Sequence, residues 1–266
     1  MNTNLSSAVG TTGDSSPPSL NTSLVELPRE ARRLNLDKAF QKLSEFVAGV
    51  IKTEKPAGLV LGLTGTDSGL AFCVCAEGAK LAGLDKSKVV GIHYGTEYPY
   101  TNWFEQRGTV LVRPELTERS LEHDIARWAQ LQTYAYENHF ILVGTRNRTE
   151  HALGTYSTAS RVAGLHPIEP LWKSEVFAMC EHLALPKQLI FDSQYMADPA
   201  CGKCKIGNFA NEVDMLIMIE KGLLHPDAAV DVPDLIKDRF PTMKRDYKAR
   251  IPYTPGADVL NEALIL

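Results

Sequence analysis

The feature that most constrains this chain is a strand, a tight turn and a helix compressed into residues 58–76, GLVLGLTGTDSGLAFCVCA. Leu59, Val60, Leu61 and Leu63 form a short apolar run that suits a strand covered on both faces, and Leu70, Ala71, Phe72, Val74 and Ala79 read as a buried helix. Between them lies Thr64-Gly65-Thr66-Asp67-Ser68-Gly69, small and rich in hydroxyls. Such a turn gathers backbone N–H groups and the positive end of a helix dipole, which is a place for an anion such as phosphate. The same residues also suit a plain strand-to-helix turn capped by Asp67 or Ser68.

The alternation continues downstream. Before the turn, Leu36, Phe40, Leu43, Val47 and Val50 recur at steps of four and three, an amphipathic helix with Asn35 placed to cap it. After it come apolar runs at residues 89–94, 109–112 and 140–144, with a helix between Leu116 and His139 that sets Leu121, Ile125, Trp128, Leu131 and Ala135 on one face. Polar turns at residues 95–102 and 145–150 follow strand ends, where open α/β sheets bind ligands. With no internal repeat, this pattern predicts an α/β fold with a doubly wound parallel sheet. Residues 154–164 read as a small polar loop and 166–171 as an extended segment, because each proline biases its predecessor away from helix. Residues 174–185 read as a helix, 191–207 as a second functional loop, and 213–220 and 232–240 as short helices. Residues 1–23, rich in Ser, Thr, Asn, Gly and Pro, are expected to be a disordered tail before a single domain over residues 24–266.

Composition narrows the function. A net charge of −4 argues against a whole-surface attraction to nucleic acid or acidic membrane, although residues 244–255 form one dense basic patch. No run approaches the roughly 18 apolar residues a membrane span needs, and the N-terminus lacks a signal-peptide pattern, so the expected compartment is the cytoplasm. Five cysteines fit reduced thiols better than a disulfide framework. Cys73 and Cys75 fall in an apolar helix as core residues, whereas Cys201 and Cys204 form a CxxC that supplies half a zinc site, with Cys180, His166 or His182 as distant further ligands.

Read together, the motifs resemble ammonia-dependent NAD synthetase of the ATP-pyrophosphatase family. LGLTGTDSG is similar to its Ser-Gly-Gly-x-Asp-Ser loop, ILVGTRNRTE to its Val-x-Gly-Thr-x-Asn-x-x-Glu turn, and HPIEPLWKSEV to its Asn-Pro-Ile-x-x-Leu-x-Lys-x-x-Val segment. Ala197-Asp198 falls where the family ends a phosphate-side loop, and YKARIPYTP is similar to its basic tail. Five such motifs in order span the chain from about Leu36 to Pro255. The resemblance implies ATP-dependent adenylation of a carboxylate, that of deamido-NAD, followed by displacement of AMP by ammonia, with Mg²⁺ and a homodimer.

That chemistry places negative charge on phosphate oxygens and calls for N–H donors, cations and a metal around them. Thr64, Gly65, Thr66 and Ser68 are the candidates to cradle pyrophosphate, and Asp67 and Glu150, oxygen ligands at two strand ends, to hold Mg²⁺. The resemblance assigns Lys173 to a phosphate, and Arg127, Thr145 and Asp198 to the nucleotide; Asp67 and Lys173 are the expected catalytic pair. Outside the resemblance, Asp67 serves as a helix cap, Glu150 as a first-turn acid, and Arg127 and Lys173 as solvated charges. Two departures from the family pattern carry the alternatives. The turn is one residue short, and Ser157 to Ala163 replaces a Lys and Gly-Asp-Gly-Gly stretch. They point to a catalytically impaired nucleotide-binding homologue, or to an ATP-pyrophosphatase acting on another carboxylate or a nucleobase.

Overall fold

The computed structural model describes residues 34–116, 121–195, 209–229 and 232–243. Within them four strands form one parallel sheet: β1 (Gly58–Gly62), β2 (Val89–Tyr94), β3 (Thr109–Arg113) and β4 (Phe140–Leu142), in the order β3-β2-β1-β4. Leu61 sits opposite Gly91, and Val60 opposite Leu142. Because side chains alternate across a strand, the apolar runs serve two cores at once. Leu59, Leu61 and Val89 join one core with helices α1 (Leu36–Glu54) and α2 (Thr66–Ala82). Val60, Val90, Ile92 and Leu142 join the other with Leu131 and Ala135 of α4 (Leu121–Asn138).

The winding direction follows from the order. The chain moves outward from β1 to β3, with α2 on one face and the short α3 (Thr101–Glu105) before β3. It then returns over the opposite face through α4 to β4, on the far side of β1. Winding therefore reverses between β1 and β4, and the position beyond their carboxyl ends is the switch-point crevice at which open α/β sheets take ligands. The remaining helices, α5 (Arg148–Leu153), α6 (Lys173–His182), α7 (Lys187–Tyr195), α8 (Ala210–Glu220) and α9 (Asp234–Met243), follow β4. The doubly wound α/β expectation holds.

Local chemistry sets the helix ends. Asn35 accepts the Lys38 N–H at 2.9 Å and caps α1, and Lys55 closes it in the left-handed region. Gly78 lies where α1 and α2 cross: a Cβ there would fall 2.6 Å from Val47 Cγ1 and 3.0 Å from the Ser44 carbonyl. The close approach depends on the missing side chain.

Several expectations need correction. The helix after β1 begins at Thr66, not Leu70, so Asp67, Ser68 and Gly69 lie in its first turn. Residues 167–170 form a turn rather than an extended segment, with the Glu169 N–H donated to the His166 carbonyl at 3.5 Å. The fixed φ of Pro167 suits the second position of such a turn as well as it suits a strand. Phe191 to Tyr195 are helical, the end of α7, where absent periodicity suggested a loop. Ile125 is 52 % exposed and does not share the buried stripe of α4. Among the described residues no helix is long and apolar enough to cross a membrane. The tail over residues 1–23 and the basic patch at 244–255 lie outside the described residues.

Candidate active site

The crevice begins with the turn after β1. Leu63 continues the pairing by donating its N–H to the Ile92 carbonyl at 2.8 Å, and Gly65 then caps α2 in an extended conformation. The first amides of a helix have no partner inside it. Here the Thr64 and Gly65 N–H groups both donate to Ser68 Oγ, at 2.8 and 3.1 Å, while that hydroxyl donates to the Gly65 carbonyl. The Thr66 N–H donates to Ser193 Oγ of α7 at 3.2 Å. Two hydroxyls thus take the amides from Thr64 to Thr66.

Asp67 is the second residue of α2 and faces the crevice. Its Oδ1 accepts the Asn147 Nδ2–H at 2.7 Å, and its Oδ2 pairs with the Lys173 ammonium. Lys173 is the first residue of α6; its ammonium also lies 3.3 Å from Thr66 Oγ1 and 4.6 Å from the centre of the Phe177 ring. With side chains 12 % and 22 % exposed, Lys173 and Asp67 are shielded but still open to the crevice. Asn147 follows β4 and caps α5: it accepts the Glu150 N–H at 2.9 Å and donates its own N–H to Glu150 Oε2 at 3.2 Å. Glu150 is therefore a capping acid, as one of its readings expected, and Asn147 holds both it and Asp67. These two carboxylates are hard oxygen donors of the kind Mg²⁺ takes one or two of, alongside water and phosphate, so the residues present fit that ion.

A second layer supports this one. Lys173 donates its backbone N–H to Thr149 Oγ1 at 2.8 Å, Thr149 donates its hydroxyl proton to Asp214 Oδ1, and Asp214 Oδ2 accepts the Ser174 N–H at 2.9 Å. Thr149 and Asp214 are completely buried. Burial pushes the Asp214 carboxyl up to about 6, and the bonds from Thr149 and Ser174 oppose that rise.

The structure thus brings Thr64, Gly65, Thr66, Asp67, Ser68, Glu150 and Lys173 together. Thr145 is half-buried in the same post-β4 loop, two residues before Asn147. Arg127 stands apart on α4, where its Nε–H donates to the Leu116 carbonyl at 2.7 Å beyond β3. Asp198, Cys201 and Cys204 lie outside the described residues. Two of the distant zinc ligands have another partner, Cys180 buried with its Sγ 3.6 Å from the Thr66 carbonyl and His182 meeting Asp37 at 2.8 Å, while His166 lies 4.0 Å from Glu169. Among the described residues no group of three or more His, Cys, Asp or Glu is placed to hold a metal ion. Sequence reasoning missed Asn147, Thr149, Ser193 and Asp214. Asn147 had a signal, since Asn-x-x-Glu has capping-box spacing, and Asp214 another, as a lone acid in the apolar run VDMLIMI.

Comparison with known proteins points one way. Residues 99–197 match the family model for NAD synthase. The NH3-dependent NAD+ synthetase of Wolinella succinogenes is 24% identical over 154 residues, 53% of this chain and 59% of that enzyme. The enzyme of the same name from Chlorobaculum tepidum is 25% identical over 234 residues, 80% of this chain and 83% of that enzyme. The match to the Helicobacter acinonychis enzyme spans 55% of its length, so the chain covers little more than half of some of these relatives. Among solved structures, the NH3-dependent NAD synthetase of Campylobacter jejuni in complex with nitrate superposes with a TM-score of 0.56 at 19% identity, covering 84% of this chain and 100% of that one. The NMN synthetase of Francisella tularensis gives 0.61 at 17% identity, with 84% and 99% covered. At such identities the structural likeness establishes the fold.

Proposed function

We propose that this chain, a relative of the NAD synthetases in sequence and fold, is an ATP-dependent ligase that converts deamido-NAD and ammonia to NAD, AMP and pyrophosphate. The observation that carries the reading is the meeting of Asp67, Asn147 and Lys173 at the crevice between β1 and β4. A carboxylate oxygen of the substrate attacks the α-phosphorus of ATP while the bond to pyrophosphate breaks. Ammonia then attacks the acyl carbon, the bond to AMP breaks, and a proton is lost to leave the amide.

The residues of the chain act on the charge of the first step. The Lys173 ammonium, anchored by Asp67, offsets negative charge on a phosphate as a point charge at little reorganisation cost. The start of α2 adds N–H donors once Ser68 and Ser193 yield to phosphate oxygens. Mg²⁺, held by Asp67 and Glu150, supplies Lewis-acid neutralisation of the phosphate oxygens when bound.

The test is pyrophosphate release from MgATP with deamido-NAD and ammonium. Turnover that requires all three supports the ligase, and its absence from folded protein overturns it. One observation favours a second reading, a nucleotide-binding homologue without turnover: every N–H group from Thr64 to Thr66 is already accepted by a hydroxyl. That reading expects no pyrophosphate release with any acceptor, and Asp67→Ala without effect on the protein's biological activity.

A further inference from the structure

The direction of the Lys173 side chain is set by how α6 starts. As the first helical residue it carries an amide with no intrahelical partner, and whatever accepts that N–H fixes the turn from which the ammonium extends. The acceptor is Thr149, in the first turn of α5, and the Thr149 proton goes to Asp214 of α8. The other oxygen of Asp214 takes the next amide of α6, that of Ser174. One carboxylate thus ties the starts of α5 and α6 to α8.

The chemistry of that position explains the residue. Val213, Met215 and Ile217 beside it are buried apolar side chains, among which a further apolar residue would pack without the cost of desolvating a charge. A carboxylate is what offers two acceptors to two helix starts at once. Asparagine has one acceptor, and would set an NH₂ donor against either the Thr149 hydroxyl or the Ser174 amide. The Thr149 hydroxyl and the Ser174 amide both donate to the group, which offsets part of the cost of a charge with no access to solvent.

We infer that Asp214 is a positioning residue of the active site: acting through Thr149, it fixes the first turn of α6 so that the Lys173 ammonium meets Asp67. The inference rests on the reading that this crevice handles the phosphates of ATP, and its test separates the two. In the full-length chain, Thr149→Val removes the hydroxyl at nearly constant shape, Thr149→Ser restores it, and Asp214→Asn removes one acceptor. Two readouts are taken on each: kcat and KM for ATP in pyrophosphate release, and the rate of Lys173 acetylation by acetic anhydride, read by mass spectrometry at fixed pH. Thr149→Val and Asp214→Asn are expected to lower kcat by about tenfold or more with KM for ATP held within about twofold. Lys173 acetylation rises several-fold in both, and Thr149→Ser returns both readouts to wild type. Wild-type kcat and Lys173 labelling in folded Thr149→Val overturn the inference, as does a Thr149→Ser variant as impaired as the valine. If Asp214→Asn does not fold, the two Thr149 variants decide. If the wild-type protein releases no pyrophosphate, the proposed function fails, and Lys173 labelling alone still decides the role of Asp214.

Discussion

At the scale of single residues Asp67 is the junction of the candidate site, since it carries bonds to both Asn147 and Lys173. Asp67→Asn keeps the shape and the acceptor for Asn147 while removing the charge that anchors Lys173. It is expected to lower kcat for pyrophosphate release by about a hundredfold or more, the usual cost of losing one electrostatic partner of a reacting group. Circular dichroism should be unchanged. Asp67 and Lys173 were legible because each stands in a motif of recognisable order. Asn147 and Thr149 lie inside one of those motifs and still escaped notice: the Asn147 cap on Glu150 is local and left a signal, but the bond from Asn147 to Asp67 and the relay from Thr149 to Asp214 join residues far apart in the chain. Asp214 is 65 residues from Thr149, and only folding shows that the acid inside the apolar run of α8 is shared by two other helices.

Between elements, two contacts make separate predictions. The crossing of α1 and α2 leaves no room for a methyl group at Gly78, where Val47 and the Ser44 carbonyl close in. Gly78→Ala should destabilise the protein by about 1 to 3 kcal/mol, the usual cost of overpacking, read as a lower urea midpoint at unchanged slope. The contact of α7 with α2 is of another kind. Ser193 accepts the Thr66 N–H, so under the proposed function Ser193→Ala frees a donor for which the nucleotide would otherwise compete. ATP should bind several-fold more tightly to the alanine variant by calorimetry, and unchanged affinity would place the phosphate elsewhere. Helices and strands with strong apolar periodicity were readable in advance. The start of α2 and the end of α7 were not, since small polar residues serve a helix's first turn as readily as a loop, and short helices such as α7 are held by packing rather than by pattern.

For the molecule as a whole, the buried Asp214 links folding to pH. Its carboxyl titrates near 6 in the folded chain against an ordinary value of 3.8, so the native state holds the proton more tightly than the unfolded one. The resulting stability is fully present below the ordinary value and is lost as pH rises through the folded one. Relative to Asp214→Asn, which lacks the titration, wild-type unfolding free energy should fall across that window by on the order of 3 kcal/mol, since a pKa unit is worth about 1.4 kcal/mol. Urea midpoints of both proteins across the window check this, because the bond lost in the variant is an offset common to every pH. The sheet order has a further consequence, in time rather than space. Among the described residues, all four strands are complete once Leu142 has been made, whereas Lys173 and Asp214 come later. A nascent chain emerging from the ribosome therefore carries the residues of these strands while Asp67 still lacks its counter-charge, which arrives only with the first turn of α6.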